Sequence, residues 1–287
     1  MREIVLGGAQ FTKLSQKELE RFLDWAISLG ITNVDLAPMY AGSEEMIGNY
    51  SKKNSLIVNT KCGLPGFPSL FNRDFLTNQI VESLQFLKID YINTLFIHSI
   101  PIRFVTDEIL YFLQSLKTKG LIKNIGYSGH GIDLKLAIEK ILFDKYMFTF
   151  NALDVSDMHS FNVQNNHLYI KRPLANGVFD DAIWKILKKY VRKIIRRERS
   201  YSQNSYEFRF EKMKHLITNN QSLLTFFLNF IKHYYPESKY VIGTNSIKHL
   251  NQVVSIENDH YLNDTNYEDY FTELYKQSTK NNWYSLP

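Results

Sequence analysis

Apolar and polar residues follow a repeating order along this chain, in which short apolar runs alternate with longer segments of helical periodicity. Short runs rich in Ile, Val, Leu, Phe and Tyr are typical of buried strands. Because strands and helices alternate, the sequence predicts a parallel sheet. The predicted strands are Glu3–Leu6, Ile31–Asp35, Leu56–Thr60, Tyr91–Ile97, Ile122–Tyr127, Met147–Leu153, His167–Lys171 and Lys239–Ile242.

Eight such strands favour an α/β fold of the closed (β/α)8 type, a TIM barrel, whose functional sites lie at the C-terminal ends of the strands. An open doubly wound sheet is the alternative. That fold commonly carries a Gly-x-Gly-x-x-Gly turn after its first strand, and none follows an early strand here. The closed barrel is therefore the favoured prediction.

The helical segments carry start and stop signals. Ser15 and Glu18 have the spacing of a capping box, and Gly30 is a typical helix stop. Ser43 is the expected cap of a short second helix. Further helices are predicted at Asp74–Leu87, Asp107–Lys119, Asp133–Leu142 and Leu223–Tyr234.

The regular order ends after Gly177. We predict one domain over residues 1–287, with a helical insertion at about 180–235 after the seventh strand and an irregular C-terminal arm at about 257–287. Asp180–Arg199 is predicted as a basic helix whose opposite face is apolar. Such a helix can bind nucleic acid or a membrane surface, but a solvated outer face is favoured, and a flap over a cofactor is a further reading.

Composition narrows the class of protein. The chain has 287 residues, 44% hydrophobic and 22% charged, a formal net charge of +5 and a pI of about 9.0. This mild basicity does not by itself imply nucleic acid. Cys62 is the only cysteine, so no internal disulfide can form. The sequence shows neither a signal peptide nor an apolar run of membrane-spanning length, and we expect a soluble, cytoplasmic protein of undetermined oligomeric state.

Four polar side chains lie at or just beyond the ends of three predicted strands, namely Asp35, Tyr40, Lys61 and His98. An ammonium stabilises phenolate, so Lys61 could help Tyr40 to protonate a carbonyl oxygen. A buried ammonium needs a counter-charge, which Asp35 could supply. His98 could orient the carbonyl by a hydrogen bond. Taken singly, each is more often a solvated or hydrogen-bonded residue, so the hypothesis depends on the four lying together.

Several short motifs in the chain resemble those of one known protein family. Asn33-Val-Asp35-Leu-Ala-Pro-Met-Tyr40-Ala-Gly-Ser43-Glu44-Glu-Met-Ile-Gly48 resembles the signature of the aldo-keto reductase family. So do Thr60-Lys61, Ile97-His98, Gly126-Tyr-Ser128 and Lys171-Arg-Pro173-Leu174-Ala-Asn-Gly177, in family order over about residues 3–256. The resemblance implies a (β/α)8 barrel, the four catalytic roles described above, and NADPH or NADH as hydride donor.

The resemblance also implies a cofactor site, although the chain departs from the family pattern there. Relatives usually hold the nicotinamide amide with an Asn and a Gln, where this chain has Gly129 and Met147. Assuming a strand through Asn151, we expect Asn151 or His130 to replace them, and Lys171 or Arg172 to stand where relatives often stack a residue on the ring. The predicted cofactor-binding residues are Gly8, Ser128, Asn151, Arg172, Leu174, Gly177, Gly243, Thr244, Asn245, Lys248, His249 and Gln252.

The sequence therefore predicts an NAD(P)H-dependent oxidoreductase that reduces an aldehyde or ketone, which could be derived from a sugar. The segment Ile242-Gly243-Thr244-Asn245-Ser-Ile-Lys-His249-Leu resembles the adenosine-phosphate loop of the family. Lys248 in this segment favours NADP(H) over NAD(H), although Gly243 and His249 stand where NADPH-selective relatives commonly have Lys and Arg. We expect a small carbonyl or alcohol substrate as the partner, without a metal or a membrane, and nucleic acid is disfavoured. The alternative is a cofactor-binding barrel with little turnover that acts as a regulatory or redox-sensing partner. A nucleic-acid-binding protein is the third class.

Overall fold

Eight parallel strands form a closed barrel in which each strand pairs with the next and the eighth pairs with the first. A computed structural model describes residues 3–140, 142–158, 164–177, 206–217, 222–258 and 266–281. The predicted (β/α)8 fold is confirmed. The strands are β1 Ile4–Gly7, β2 Asn33–Asp35, β3 Ile57–Cys62, β4 Ile92–His98, β5 Ile122–Ser128, β6 Lys145–Thr149, β7 Leu168–Lys171 and β8 Lys239–Ile242.

The helices among the described residues are numbered here in chain order. They are α1 Gln16–Ser28, α2 Ser43–Gly48, α3 Arg73–Leu87, α4 Asp107–Thr118, α5 Gly131–Glu139, α6 Tyr206–Ile217, α7 Leu223–Tyr234, α8 Ile247–Asn258 and α9 Tyr267–Lys280. The capping box of α1 is confirmed, because the Ser15 side chain accepts from the Glu18 N–H and the Glu18 carboxylate accepts from the Ser15 N–H. The predicted cap of α2 is wrong by one residue, since Gly42 occupies that position with a φ of 80°.

A cluster of buried apolar side chains from β1, β4, β6 and β7 packs inside the barrel. Val5, Phe96, Met147 and Tyr169 form this interior cluster, and each is at most 1% exposed. Gly126 has no room for a larger side chain there, because an added Cβ would lie 2.3 Å from the Phe96 ring. The Phe96 ring therefore fills the space beside Gly126, and the candidate catalytic groups lie above this cluster, at the C-terminal ends of the strands.

The prediction for the end of the sixth strand is wrong. β6 ends at Thr149 rather than at Leu153, and the chain turns at once, with Asn151 and Asp154 exchanging two backbone hydrogen bonds of 3.0 Å. The Asn151 side chain accepts from the Leu153 N–H at 2.8 Å, which is the bond of an Asx-turn. Asn151 thus lies outside the alternation on which its expected orientation depended.

The C-terminal segment also differs from prediction. The expected irregular arm is wrong over Tyr267–Lys280, which is a regular helix capped by the Asn266 side chain. Tyr267, Tyr270 and Leu274 pack into the main core, where Phe226 and Phe230 of α7 contact the tyrosine rings. The Tyr270 hydroxyl donates to the carbonyl of Ala152, which joins α9 to the turn after β6.

The predicted basic helix at Asp180–Arg199 lies outside the described residues. Of the predicted insertion, α6 and α7 are described, and both precede β8. No described helix is long and apolar enough to cross a bilayer.

Candidate active site

A buried ion pair joins the second and third strands at the rim. The Lys61 ammonium donates to both carboxylate oxygens of Asp35, at 2.8 and 2.7 Å, and to the carbonyl of Leu36 at 2.8 Å. Both side chains are at most 4% exposed. Burial raises the pKa of Asp35, and the Lys61 charge opposes that rise. The bidentate geometry is that of a carboxylate paired with an ammonium, which satisfies two buried charges that would otherwise be costly.

Tyr40 lies directly beside this ion pair. Its backbone forms a turn after β2, with its N–H donating to Ala37 at 2.9 Å and its carbonyl accepting from Ser43 at 2.8 Å. The Lys61 ammonium lies 5.0 Å from the centroid of the Tyr40 ring. Tyr40 is partly exposed, and it lines a cleft between the β2 loop and α3 together with Glu45, Glu82 and Phe86. Tyr40 is thus accessible from solvent and close to the positive charge of Lys61.

Glu44 is a buried carboxyl behind the ion pair that sequence reasoning did not single out for a role. Its side chain accepts from the Thr60 hydroxyl at 2.6 Å and the Ser83 hydroxyl at 3.2 Å. Burial raises the pKa of Glu44, and these two hydrogen bonds and the Lys61 charge lower it. The carboxyl therefore links α2, which follows Tyr40, to the strand that carries Lys61. Its place in the motif that begins at Asn33 is the only local signal.

His98 is the last residue of β4, opposite Ser128 of β5. Burial lowers the pKa of His98 to about 3, and the positive charges of Lys61 and Lys171 act in the same direction. The ring is therefore neutral at pH 7, with one N–H to donate and one nitrogen to accept. A neutral imidazole of this kind can hold a carbonyl oxygen by a hydrogen bond without adding a second proton source.

Lys171 brings a second ammonium to the same rim. It ends β7, and its Nζ lies 3.4 Å from the Ser128 hydroxyl and 3.5 Å from the carbonyl of Gly129. Asp157, only 3% exposed, accepts from the Gly131 N–H at 2.7 Å and is electrostatically coupled to Lys171. Either Lys171 or Arg172 is expected near the nicotinamide from the sequence, and no local pattern points to Asp157.

Asn151 is fully buried and its amide is committed to the protein. The amide N–H₂ donates to the carbonyl of Arg172 at 3.0 Å and to the Tyr206 hydroxyl at 3.4 Å. The side chain therefore fixes the turn after β7, in which Arg172 has a φ of 56°. His130, the other residue expected at the nicotinamide amide, is exposed at the start of α5. Direct contact of either residue with a cofactor stays a prediction.

The residues predicted at the other end of a cofactor share one part of the rim. β7 pairs with β8, so the turn that holds Arg172, Leu174 and Gly177 lies beside the loop Gly243–Asn245. The Thr244 hydroxyl accepts from the Ser246 N–H at 3.1 Å at the start of α8. In the first turns of α8 the exposed side chains include Lys248, His249 and Gln252. Exposed cations and a helix N-terminus are groups that suit a phosphate-bearing ligand.

The structure explains the residue type at Gly8 and the state of the thiol at Cys62. Gly8 follows β1 and is buried, and an added Cβ would lie 2.4 Å from the Leu36 side chain, so close packing requires glycine there. Cys62 is 0% exposed, and burial raises the pKa of its thiol to about 12, as expected for an unreactive core cysteine. Among the residues that the structure describes, no group of three His, Cys, Asp or Glu side chains could hold a metal ion.

Comparison with known proteins identifies the family. The sequence model of the Aldo/keto reductase family matches residues 3–269. The chain belongs to the aldo-keto reductase family. This membership assigns it in general terms to the oxidoreductases, and the predicted resemblance is confirmed.

Two curated aldo-keto reductase relatives are sugar dehydrogenases by name. D-arabinose 1-dehydrogenase of Saccharomyces cerevisiae is 30% identical over 200 residues, which are 61% of this chain and 57% of the yeast protein. L-galactose dehydrogenase of Arabidopsis thaliana is 32% identical over 139 residues, 44% of this chain and 43% of the plant protein. The matches thus span about half the length of these relatives.

A solved structure supports the same fold. The holo form of the aldo-keto reductase AKR11C1 from Bacillus halodurans has a TM-score of 0.73 and 20% identity, and the match covers 96% of this chain and 91% of that one. At this identity the likeness establishes the barrel and its strand order, and no more.

Proposed function

We propose that this aldo-keto reductase is an NAD(P)H-dependent oxidoreductase that reduces an aldehyde or ketone to an alcohol. The single observation that carries the proposal is the buried Asp35–Lys61 ion pair with its ammonium 5.0 Å from the Tyr40 ring centroid. In that arrangement the positively charged ammonium of Lys61 lies close to the partly exposed Tyr40 at the rim of the barrel. A bound dihydronicotinamide would supply the hydride to the carbonyl carbon.

Each residue has a distinct task in this proposal. Tyr40 donates its proton to the carbonyl oxygen, and the Lys61 ammonium stabilises the phenolate that remains. Asp35 keeps that ammonium charged and in place. His98, being neutral, donates a hydrogen bond to the carbonyl oxygen and orients it. The reverse reaction, oxidation of an alcohol, uses the same groups in the opposite order.

The substrate class that we propose first is an aldehyde or hemiacetal carbon derived from a sugar. Support comes from the names of the two dehydrogenase relatives and from the mixed character of the rim. Met39, Phe67 and Leu70 are exposed apolar side chains on the loops after β2 and β3, at 51%, 58% and 43%. Phe71, on the same loop, is 6% exposed and packs in the core instead.

The proposed cofactor preference is for NADP(H). Arg172 and Lys248 are exposed cations on adjacent parts of the rim, and a 2′-phosphate adds charge that a cation can bind. Replacement of Lys248 by Met is expected to weaken NADPH binding more than NADH binding. An equal loss of affinity for NADPH and NADH would argue against a contact between Lys248 and the 2′-phosphate.

The deciding experiment combines binding with turnover. NADPH and NADH are titrated by fluorescence, and a panel of sugars and simple carbonyls is then tested with the wild type, Tyr40→Phe and Tyr111→Phe. Tyr111 is 77% exposed on α4, so its loss of hydroxyl controls for the substitution itself. Tyr40→Phe should keep cofactor affinity and lose turnover by about 10²- to 10⁴-fold. Wild-type turnover in Tyr40→Phe would overturn the mechanism.

A barrel that binds the cofactor but turns over little is the second candidate. It is favoured by Met147, which lies 1% exposed in the interior cluster and offers no amide where relatives usually have one. Nucleotide binding without NADPH consumption across the carbonyl panel would support this regulatory reading over the enzymatic one.

A further inference from the structure

Lys171 and Lys61 differ in whether a carboxylate lies within ion-pair distance of the ammonium. Among the residues that the structure describes, no carboxylate oxygen lies within the 4.0 Å of an ion pair from the Lys171 Nζ. Its two polar contacts, with the Ser128 hydroxyl and the Gly129 carbonyl, are long at 3.4 and 3.5 Å. Contacts of this length are weak, so the ammonium keeps donor capacity for another group.

Four charged groups on the strands and loops around Lys171 act on its ammonium. Burial lowers the pKa of Lys171 to about 8, Asp157 and Asp35 oppose that shift, and Arg172 and Lys61 add to it. His98, on β4, is in turn affected by the Lys171 charge. Most of the Lys171 side chains are therefore protonated at pH 7 and most are neutral above pH 9.

The position of Lys171 relative to the proposed chemistry follows from the strand order. Asp35, Lys61 and His98 occupy β2 to β4, so a carbonyl held there must receive hydride from the opposite arc, β5 to β8. On that arc the inward rim residues include Ser128 and Lys171, while Met147 lies in the interior cluster with Tyr169, two residues before Lys171 on β7. A nicotinamide ring delivering hydride would lie against Lys171.

We propose that Lys171 is a ring-facing cation that makes the site bind the reduced cofactor more tightly than the oxidised one. This inference rests on the proposed function. The two forms differ in the ring, which is neutral when reduced and carries a full positive charge when oxidised. A facing ammonium repels only the charged ring. The cation therefore hastens release of the oxidised cofactor, at the cost of a less favourable charge on the ring during hydride transfer.

Binding constants for both cofactor forms test this proposal without any turnover. The dissociation constants of NADP⁺ and NADPH are measured by fluorescence or calorimetry for the wild type, Lys171→Met and Lys171→Arg. The ratio of the NADP⁺ constant to the NADPH constant should fall about tenfold in Lys171→Met, as expected for two unit charges facing each other in a partly solvated site. Lys171→Arg keeps the charge and should keep the ratio.

Lys248→Met is the matched control, because it removes an exposed lysine at the proposed phosphate end. The 2′-phosphate is common to both cofactor forms, so this variant should weaken both and leave their ratio unchanged. In the wild type the ratio should also fall between pH 7 and 9.5, and in Lys171→Met it should not change over that range. The wild-type pH series serves as the second measurement if a variant fails to fold.

The outcomes separate this inference from the proposed function. Tight binding of both forms with an unchanged ratio in Lys171→Met, or a wild-type ratio independent of pH, overturns the role of Lys171 and leaves the proposed function standing. Absence of binding of either form to the wild type overturns both.

Discussion

The Lys61 ammonium lies between the two carboxylate oxygens of Asp35, at 2.8 and 2.7 Å, with both side chains almost completely buried. The third acceptor, the carbonyl of Leu36, completes the set that the ammonium can satisfy. Its effect on Tyr40 is therefore exerted by charge across 5.0 Å to the ring centroid, while its hydrogen bonds fix its own position. One residue thus serves both the stability of the rim and the chemistry proposed there.

Removal of one charge of the Asp35–Lys61 pair should lower the stability of the folded protein. In Lys61→Met the Asp35 carboxylate is left buried without its counter-charge, and the free energy of unfolding should fall by roughly 3–5 kcal/mol. Urea denaturation followed by circular dichroism measures the loss. Lys52→Met is the control, because its ion pair with Asp24 is exposed and should contribute less than about 1 kcal/mol.

The double variant Asp35→Asn with Lys61→Met provides the companion measurement. Both charges are then absent, so most of the stability lost in Lys61→Met should return, while turnover stays absent. Equal stability losses in the single and double variants would show that lost packing, and not an unpaired carboxylate, is the cause.

The neutral state of His98 makes stability depend on pH. The folded pKa of about 3 lies below the ordinary value of 6.5, so below pH 6.5 the unfolded chain takes up a proton that the folded chain does not. The contribution of His98 is therefore complete above pH 6.5 and is lost progressively as pH falls towards 3. Between pH 7.5 and 5.5 the loss should be about 1.4 kcal/mol.

A comparison with His98→Gln isolates this contribution from other titrating groups. The difference in unfolding free energy between wild type and variant, from urea titrations at each pH, should be constant above pH 7.5 and shrink by about 1.4 kcal/mol at pH 5.5. A difference that does not change with pH would mean that His98 takes up its proton equally in both states.

The four proposed catalytic residues and the barrel could be predicted because each depends on local sequence. The apolar runs ending before Lys61 and His98 mark strands, and in parallel neighbours their ends must meet. Asn151 could not be placed in this way, because β6 ends at Thr149 and the Asn151 side chain accepts a hydrogen bond within the turn that follows. Alternation along a strand gives no orientation for a residue that lies beyond the end of the pairing.

Long-range contacts account for the other errors. The segment Tyr267–Lys280 is polar enough to suggest an irregular arm, yet Tyr270 joins the carbonyl of Ala152 across the fold and packs against Phe226. Lys171 could be distinguished from Arg172 only by the structure of β7, because Tyr169, two residues before Lys171, lies in the interior cluster and Arg172 lies beyond the end of the strand. Neither relation has a signal within a short stretch of sequence.

Asn151→Ala should separate support of the β7 turn from direct cofactor contact. Loss of the bonds to the Arg172 carbonyl and the Leu153 N–H should lower stability by about 1–3 kcal/mol. Cofactor affinity should fall only through the displaced Arg172 turn. If the variant loses affinity equally for NADPH and for ADP-ribose phosphate, which lacks the nicotinamide, Asn151 acts through the β7 turn. If only the affinity for NADPH falls, Asn151 contacts the nicotinamide ring. Unchanged NADPH affinity would argue against either role.

Gly48 ends α2 against α3 and should not tolerate a side chain. A Cβ added there would lie 1.9 Å from the Phe86 carbonyl oxygen, so Gly48→Ala should lower the unfolding free energy by roughly 3 kcal/mol. Gly66→Ala is the comparison, since Gly66 has a φ of 86° but open space around it and should cost about 1 kcal/mol. Thermal denaturation of both variants checks the order, and a smaller loss in Gly48→Ala would contradict it.

The interior cluster of Val5, Phe96, Met147 and Tyr169 gives the rim a floor. The cluster blocks the barrel axis below the rim, so a substrate and a cofactor that meet between Tyr40 and Lys171, as proposed, would both enter and leave at the C-terminal face. Two ligands that use the same opening cannot pass each other. The ligand that binds deeper must therefore bind first and dissociate last. Steady-state kinetics of this barrel should accordingly follow a compulsory order of addition and release.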